Sequence, residues 1–177
     1  MLINPNFSED SKWYALYTKP RHEFKAEIQL TACGIEHYLP TVIRVKQWSD
    51  RKKKVKEPLF SGYIFIRGNE RDRLLALEQY AVVRSIFFQG APAIVPSWQI
   101  ENLKKMLEGN GDITVTDKIK AGTPVKIISG PFKDIIGIVE EDANQNKTLS
   151  ISIDLLKRTV RVKIPKDSLI ETKQTET

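Results

Sequence analysis

One cysteine and two histidines are all that this 177-residue chain offers as soft metal ligands. Cys33, His22 and His37 cannot complete a structural zinc site, and no Cys-x-x-Cys pair occurs. The lone cysteine also excludes an internal disulfide, which suits a cytoplasmic protein. Gly-x-x-x-x-Gly-Lys-Ser/Thr is absent, so there is no phosphate loop of that kind. No apolar run reaches the roughly 18 residues of a membrane span. The opening Met1-Leu2-Ile3-Asn4-Pro5-Asn6-Phe7 has neither a basic region nor a long apolar stretch, so no secretory signal is expected. Nor do acid, base and nucleophile converge in any pattern. Glu140-Glu141-Asp142 reads as solvated turn acids and Cys33 as a small buried apolar side chain. The expectation is a chain without catalysis, cofactor, metal or membrane contact.

What is present is an ordinary globular balance, 41% apolar and 28% charged, with a net charge of +6. The charge is uneven. Residues 1–108 carry 17 Lys+Arg against 12 Asp+Glu, and residues 109–177 carry 11 against 10. A basic first part suits an acidic partner, either phosphate backbone or a carboxylate-rich protein surface.

Local patterns give an α+β order. Trp13–Tyr17 reads as an aromatic strand. Pro20 suits a helix start, and Phe24, Ile28 and Ala32 give the inward stripe of a helix over Arg21–Cys33 that Gly34 stops. Tyr38–Trp48 and Val55–Ile66 read as strands joined by the charged tip Ser49–Lys54. Asn69 caps a helix to about Tyr80 with Leu74, Leu75 and Leu77 facing in. Val82–Phe88 and Ala93–Val95 read as strands around a turn, and Ser97 opens a helix with the stripe Ile100, Leu103, Leu107. The polar stretch after Gly109 has no apolar period and reads as a linker. Beyond it Val125 and Ile127, then Leu149, Ile151 and Ile153, then Val160, Val162 and Ile164 alternate with polar residues, as in a small barrel. The expected organisation is a disordered stretch at 1–11, an antiparallel sheet flanked by helices at 12–108, a flexible linker at 109–119, an SH3-like β-barrel at 120–172 and a disordered tail at 173–177.

Two groups of segments carry a resemblance. Gly122-Thr123-Pro124-Val125-Lys126-Ile127 together with Gly130-Pro131-Phe132-Lys133-Asp134-Ile135-Ile136-Gly137 resembles the KOW motif. Trp13–Pro20, Glu57–Ile66 and Ala91–Ser97 resemble, in the same order, the N-terminal (NGN) domain of the NusG family. The hairpin Gln47–Lys54 and the segment Pro92–Pro96 resemble the specialised UpxY-type and RfaH-type antiterminator paralogues. Two departures stand out. Ser61 follows the Pro-Leu-Phe segment where the family usually has Pro, and Leu155-Leu156-Lys157-Arg158 stands where it usually has Gly-Arg.

The resemblance implies a first domain on the clamp helices of the largest RNA polymerase subunit, holding the clamp closed against pausing and termination. It implies a second domain that recruits Rho or a small-subunit ribosomal protein, in a monomer. Tyr17, Phe60 and Tyr63 match an aromatic polymerase-binding patch. Core is the alternative for any one of them. Lys19, Arg21 and His22 open the first helix, and Arg71 and Arg73 the second. Cations there oppose the helix dipole, and in the family this edge faces the non-template DNA strand. Arg51, Lys52, Lys53 and Lys54 either meet upstream DNA or an acidic polymerase surface, or are a solvated edge that blunts strand pairing. Phe132, Ile135 and Arg158 are the expected partner surface of the KOW barrel, with Phe132 exposed. The rival functions are a housekeeping NusG-type factor coupling polymerase to Rho or the ribosome, and a ribosome-associated RNA-binding KOW protein.

Overall fold

A computed structural model describes residues 11–48, 50–109, 111–116, 122, 124–141, 143–165, 168 and 170–172. The disorder expected at 1–10 and 173–177, and part of the expected linker at 117–119, lie outside the described residues. The chain divides into two compact units between Ser97 and Trp98.

The first unit runs β1 (Lys12–Thr18), α1 (Glu23–Ala32), β2 (Glu36–Tyr38), β3 (Thr41–Gln47), β4 (Lys52–Pro58), β5 (Tyr63–Gly68), α2 (Glu70–Leu77), β6 (Val82–Ser85), β7 (Phe87–Phe88), β8 (Ala91–Pro92) and β9 (Ile94–Val95). Its main sheet has the order β2-β5-β1-β6, with β9 also on β1, and every pairing is antiparallel. Strand β1 is central because its alternating faces are both apolar, and Trp13 through Leu16 are all buried. Tyr14, Leu16, Ile64 and Ile66 point to one face. There they join Ala26 and Leu30 of α1, Ala76 of α2, and Ile35, Leu39, Ala81 and Val82. β3 and β4 form a separate two-stranded ribbon, and β7 and β8 a short hairpin.

Both helices of this unit bury different rows from those expected. Helix α1 starts two residues late because Lys19–His22 is a turn, closed by His22 N–H donating to the Lys19 carbonyl at 3.0 Å. The row turned inward is Glu23, Ala26 and Leu30, where the small Ala26 lets the helix approach the sheet, while Ile28 is 69% exposed. In α2 the expected Asn69 cap forms a reciprocal box with Asp72, each side chain accepting from the other's backbone N–H. Its buried residues are Arg73 and Ala76, with Leu77 at the margin, and Leu74 and Leu75 are exposed. A buried arginine escapes a purely apolar pattern because its charge is satisfied locally.

The second unit contains nearly all of α3 (Ser97–Glu108), then β10 (Ile113–Thr116), β11 (Val125–Ile127), β12 (Ile136–Glu141), β13 (Lys147–Ile153), β14 (Arg158–Ile164) and β15 (Ile170–Thr172). The six strands form one antiparallel sheet, β10-β14-β13-β12-β11-β15. The expected alternation holds along β13 and β14, where Leu149, Ile151, Ile153, Val160, Val162 and Ile164 are all buried.

Two expectations change here. Residues 113–116, assigned to the linker, are a strand: Ile113, Thr114, Val115 and Thr116 pair with Val162, Arg161, Val160 and Thr159. Four residues were too few to show a period beside so many polar neighbours. Helix α3 groups with this unit, tied to it by Gln99 Nε2 donating to Asp154 Oδ2 at 2.9 Å and Asn102 Nδ2 donating to the Ile136 carbonyl at 3.0 Å. The buried row of α3 is Ile100, Leu103 and Met106, with Leu107 half-buried. Where the family usually has Gly, Lys157 takes the left-handed conformation itself (φ 51°, ψ 41°) at the turn into β14.

Candidate functional site

Tyr17 and Tyr63 are cross-strand partners in the β1–β5 ladder, so both side chains leave the same face of the sheet. Their rings meet edge-to-face, 5.4 Å between centroids at 72°, and both residues are half-buried. Arg84 of β6, the cross-strand neighbour of Tyr17 on its other side, holds its guanidinium 5.8 Å from the Tyr17 ring centre. The pair is a rigid aromatic surface with polar tips and a cation beside it.

A buried carboxylate shapes the turn beneath this pair. Glu23, only 5% exposed, accepts a hydrogen bond from Gly62 N–H at 2.7 Å, and the Gly62 carbonyl accepts from Thr18 N–H at 2.8 Å. Gly62 has φ +82°, and a Cβ there would lie 3.1 Å from Tyr17 Cε2. Glycine therefore serves both the backbone conformation and the closeness of the tyrosine ring. Beside the turn is a cavity of about 560 Å³, bordered by Tyr17, Arg21, Phe24, Lys56, Pro58 and Ser61 among others.

Phe60 does not share this surface. It is 3% exposed and packs edge-on against Phe65 at 6.2 Å, so its expected place on an exposed patch is corrected. Only Ser61 separates Phe60 from the Gly62 N–H that Glu23 holds, and the turn at Ser61-Gly62 sends the two aromatics in different directions.

The basic residues divide in the same way. Lys19, Arg21 and His22 lie together on the turn before α1, where Arg21 adopts φ +61°. With Pro20 ahead of it, this is the third position of a type II turn, which favours glycine or asparagine. An arginine held there is uncommon, because its side chain gains no steric relief in the left-handed region. Lys19 Nζ sits 3.4 Å and Lys25 Nζ 4.5 Å from the ring centre of Tyr80, and the His22 ring is 6.1 Å from it. Arg71 is exposed. Arg73 is not available as a surface cation, which corrects its expected role. It is 5% exposed, forms a two-point ion pair with Glu70, and donates to Ser85 Oγ at 2.9 Å. Its hydrogen bond to Glu70 raises the guanidinium pKa further, and the same bond holds the Glu70 carboxyl below the ordinary range.

Arg51, Lys52, Lys53 and Lys54 are all exposed on the ribbon. Cross-strand pairing puts Lys54 opposite Val45 and Lys53 opposite Lys46, so cations line both faces. Lys53 Nζ is 5.4 Å from the Trp48 ring centre, and Ile43 and Val45 are 70% and 60% exposed.

In the second unit the expected partner residues are mostly interior. Phe132 is 3% and Ile135 0% exposed, which corrects Phe132 as an exposed contact. The Phe132 ring lies against the backbone at Gly109 and Gly111, where no Cβ leaves room to spare. Arg158 is half-buried at the start of β14. Among the described residues no group of three or more His, Cys, Asp or Glu could hold a metal, and no helix is long and apolar enough to cross a membrane.

The sequence patterns missed Glu23 and Tyr80. Glu23 was hidden because an acid in a first helical turn is ordinary, and its partner is 39 residues away. Tyr80 follows α2 outside any periodic run, and only the three-dimensional approach of Lys19 and Lys25 singles it out.

The family model described as "Transcription termination factor nusG" matches residues 11–104. The NusG of Thermus thermophilus, a transcription termination/antitermination protein, is 26% identical over 174 residues, covering 86% of this chain and 94% of that one. The NusG of Staphylococcus carnosus is 23% identical over 178 residues, covering 89% and 94%. A solved structure of Thermotoga maritima NusG, concerned with its domain interaction, is 26% identical, covers 93% of this chain and 98% of that chain, and gives a TM-score of 0.49. The family and its relatives define a non-enzymatic transcription regulator. The chain belongs to the NusG family of transcription termination and antitermination factors. The matched segment takes in most of α3, although that helix groups with the second unit in the structure.

Proposed function

We propose that this chain is an antiterminator that binds the clamp helices of RNA polymerase through Tyr17 and Tyr63 and suppresses pausing and termination over long operons. The observation that carries the reading is the edge-to-face tyrosine pair, held half-exposed by Gly62 and Glu23 at the ends of strands whose middle residues are buried. Tyrosines of this kind supply apolar area at small entropic cost and tolerate water at their tips, as an interface anchor must. Lys19, Arg21 and His22 then face the non-template strand, and Arg51–Lys54 face upstream DNA. Within the second unit, residues 120–172 act as a KOW-type domain that carries Rho or a small-subunit ribosomal protein. The hairpin Gln47–Lys54 and Pro92–Pro96, similar to UpxY-type and RfaH-type segments, favour a specialised factor over a housekeeping one. Occupancy across a genome tests this, since a specialised factor concentrates on one or a few operons and a housekeeping factor spreads over all.

A further inference from the structure

The cavity beside the tyrosine pair combines aromatic walls, a buried polar group and a charged rim, the features of a small-molecule site. Its volume of about 560 Å³ falls within the span of such sites, roughly 300–1,000 Å³. Tyr17 and Phe24, both half-buried, supply flat apolar surface. Glu23 borders the cavity at 5% exposure. Among the described residues its carboxylate accepts from Gly62 N–H alone, through Oε1, so Oε2 has no protein donor. A buried carboxylate in that condition calls for a donor from outside the chain. Arg21 and Lys56 stand exposed at the rim, and neither has an ion-pair partner among the described residues. Lys56 Nζ lies 5.9 Å from the Phe24 ring centre. The other acid of the wall, Glu57, is occupied by Lys46 and Arg44 of the ribbon.

We infer that this cavity binds a free guanosine phosphate, with the base against Tyr17 and Phe24, its N–H edge on Glu23 and its phosphates on Arg21 and Lys56. The chemistry of the two ends selects this class. Guanine carries a ring N–H and an exocyclic amino group side by side, and a carboxylate accepts such a pair as it accepts a guanidinium fork. Adenine has a ring acceptor where guanine has its ring N–H, and the carboxylate repels it. The phosphates belong at a wet rim, where an ammonium and a guanidinium are free to pair with them. Ser61 adds a hydroxyl at the same rim, at the position where the family usually has Pro, which offers none. The site is built from the first unit alone, so it stands apart from the polymerase reading. Tyr17 belongs to both, so a bound nucleotide packs on the ring that the tyrosine pair presents and regulates docking through it.

The test is isothermal titration calorimetry of the full chain with guanosine diphosphate, adenosine diphosphate, guanosine and inorganic pyrophosphate. Saturable binding of guanosine diphosphate is expected, at least about tenfold tighter than of adenosine diphosphate, the worth of one hydrogen bond to a charged group. Glu23→Gln keeps an acceptor for Gly62 N–H, so it keeps the turn, and it should abolish that preference. Lys56→Gln should weaken guanosine diphosphate about tenfold and leave guanosine unchanged. Lys56 is exposed on the ribbon, so this arm decides even where Glu23→Gln fails to fold. Equal affinity for the two diphosphates, or an undiminished preference in a folded Glu23→Gln, would overturn the placement of the base. Wild-type affinity in Lys56→Gln would overturn the placement of the phosphates. Pyrophosphate bound as tightly as the nucleotide, or no saturable binding at millimolar nucleotide, would overturn the site altogether. None of these outcomes bears on pausing, which variants of the tyrosine pair read separately.

Discussion

Glu23 and Gly62 are 39 residues apart in the chain, yet a carboxylate oxygen of one accepts the backbone N–H of the other at 2.7 Å in a buried setting. That bond joins the first turn of α1 to the turn that aims Tyr63, and Gly62 in turn abuts the ring of Tyr17. Replacing Glu23 by Ala leaves a buried N–H without its acceptor, at about 1–3 kcal/mol. Gly62→Ala places a side chain in the left-handed region and against Tyr17, with a cost on the order of 1–2 kcal/mol. Urea unfolding of the two variants should show lowered midpoints with unchanged slopes. A midpoint equal to wild type in both would mean that this bond does not hold the site together.

Arg21 holds φ +61° where a turn of this type prefers Gly or Asn. Arg21→Asn is therefore expected to keep or raise stability, by up to about 1 kcal/mol, while weakening DNA binding. Thermal unfolding and anisotropy on the same preparation read the two effects separately. A variant that loses stability and keeps DNA affinity would make Arg21 a structural residue.

The Arg73–Glu70 pair gives a pH prediction. Glu70 is held below the ordinary carboxylate range by its hydrogen bond to Arg73. Its contribution is fully present above the unfolded carboxylate pKa and is lost as pH falls through the lower folded value. Glu70→Gln should therefore be less stable than wild type at neutral pH, and the two should converge on acidification. A difference that stays constant into the acid range would assign the effect to packing instead.

The cations of the β3–β4 ribbon are exposed on both faces, so their removal should leave the fold nearly untouched. Replacing Lys52, Lys53 and Lys54 by Ser is expected to change stability within about 0.5 kcal/mol. Association with an elongation complex should weaken, and the salt slope should fall by roughly one unit for every phosphate that a removed lysine had neutralised. Binding curves at several salt concentrations check both. An unchanged slope would leave the ribbon a solvated edge.

Much of the fold was legible in the sequence because period and punctuation agreed. Trp13–Tyr17 is aromatic-rich like a strand, Asn69 caps α2, and Leu149–Ile153 and Val160–Ile164 alternate as strands of the second unit. What escaped were choices between equivalent rows and partners distant in sequence. In α1 two rows spaced by four residues were available, and small Ala26 rather than branched Ile28 met the sheet. Leu74 and Leu75 lost the interior to an arginine whose charge Glu70 and Ser85 satisfy, which no apolar pattern encodes. The candidate site was half legible for the same reason. Tyr17 and Tyr63 came from adjacent strands, whereas the burial of Phe60 and Phe132 and the gathering of Lys19 and Lys25 around Tyr80 depend on tertiary approach.

The central claim is that Tyr17 and Tyr63 anchor this chain to polymerase. The most direct measurement is a transcription-elongation assay with purified RNA polymerase, comparing wild type with Tyr17→Ser/Tyr63→Ser and reading pause lifetimes and co-purification together. At an interface hot spot each anchor is worth roughly 2 kcal/mol or more, so the double variant should bind at least about a hundredfold more weakly. Wild type is predicted to shorten pauses and the folded double variant to leave them unchanged. A folded double variant that still binds polymerase and shortens pauses as wild type does would contradict the claim.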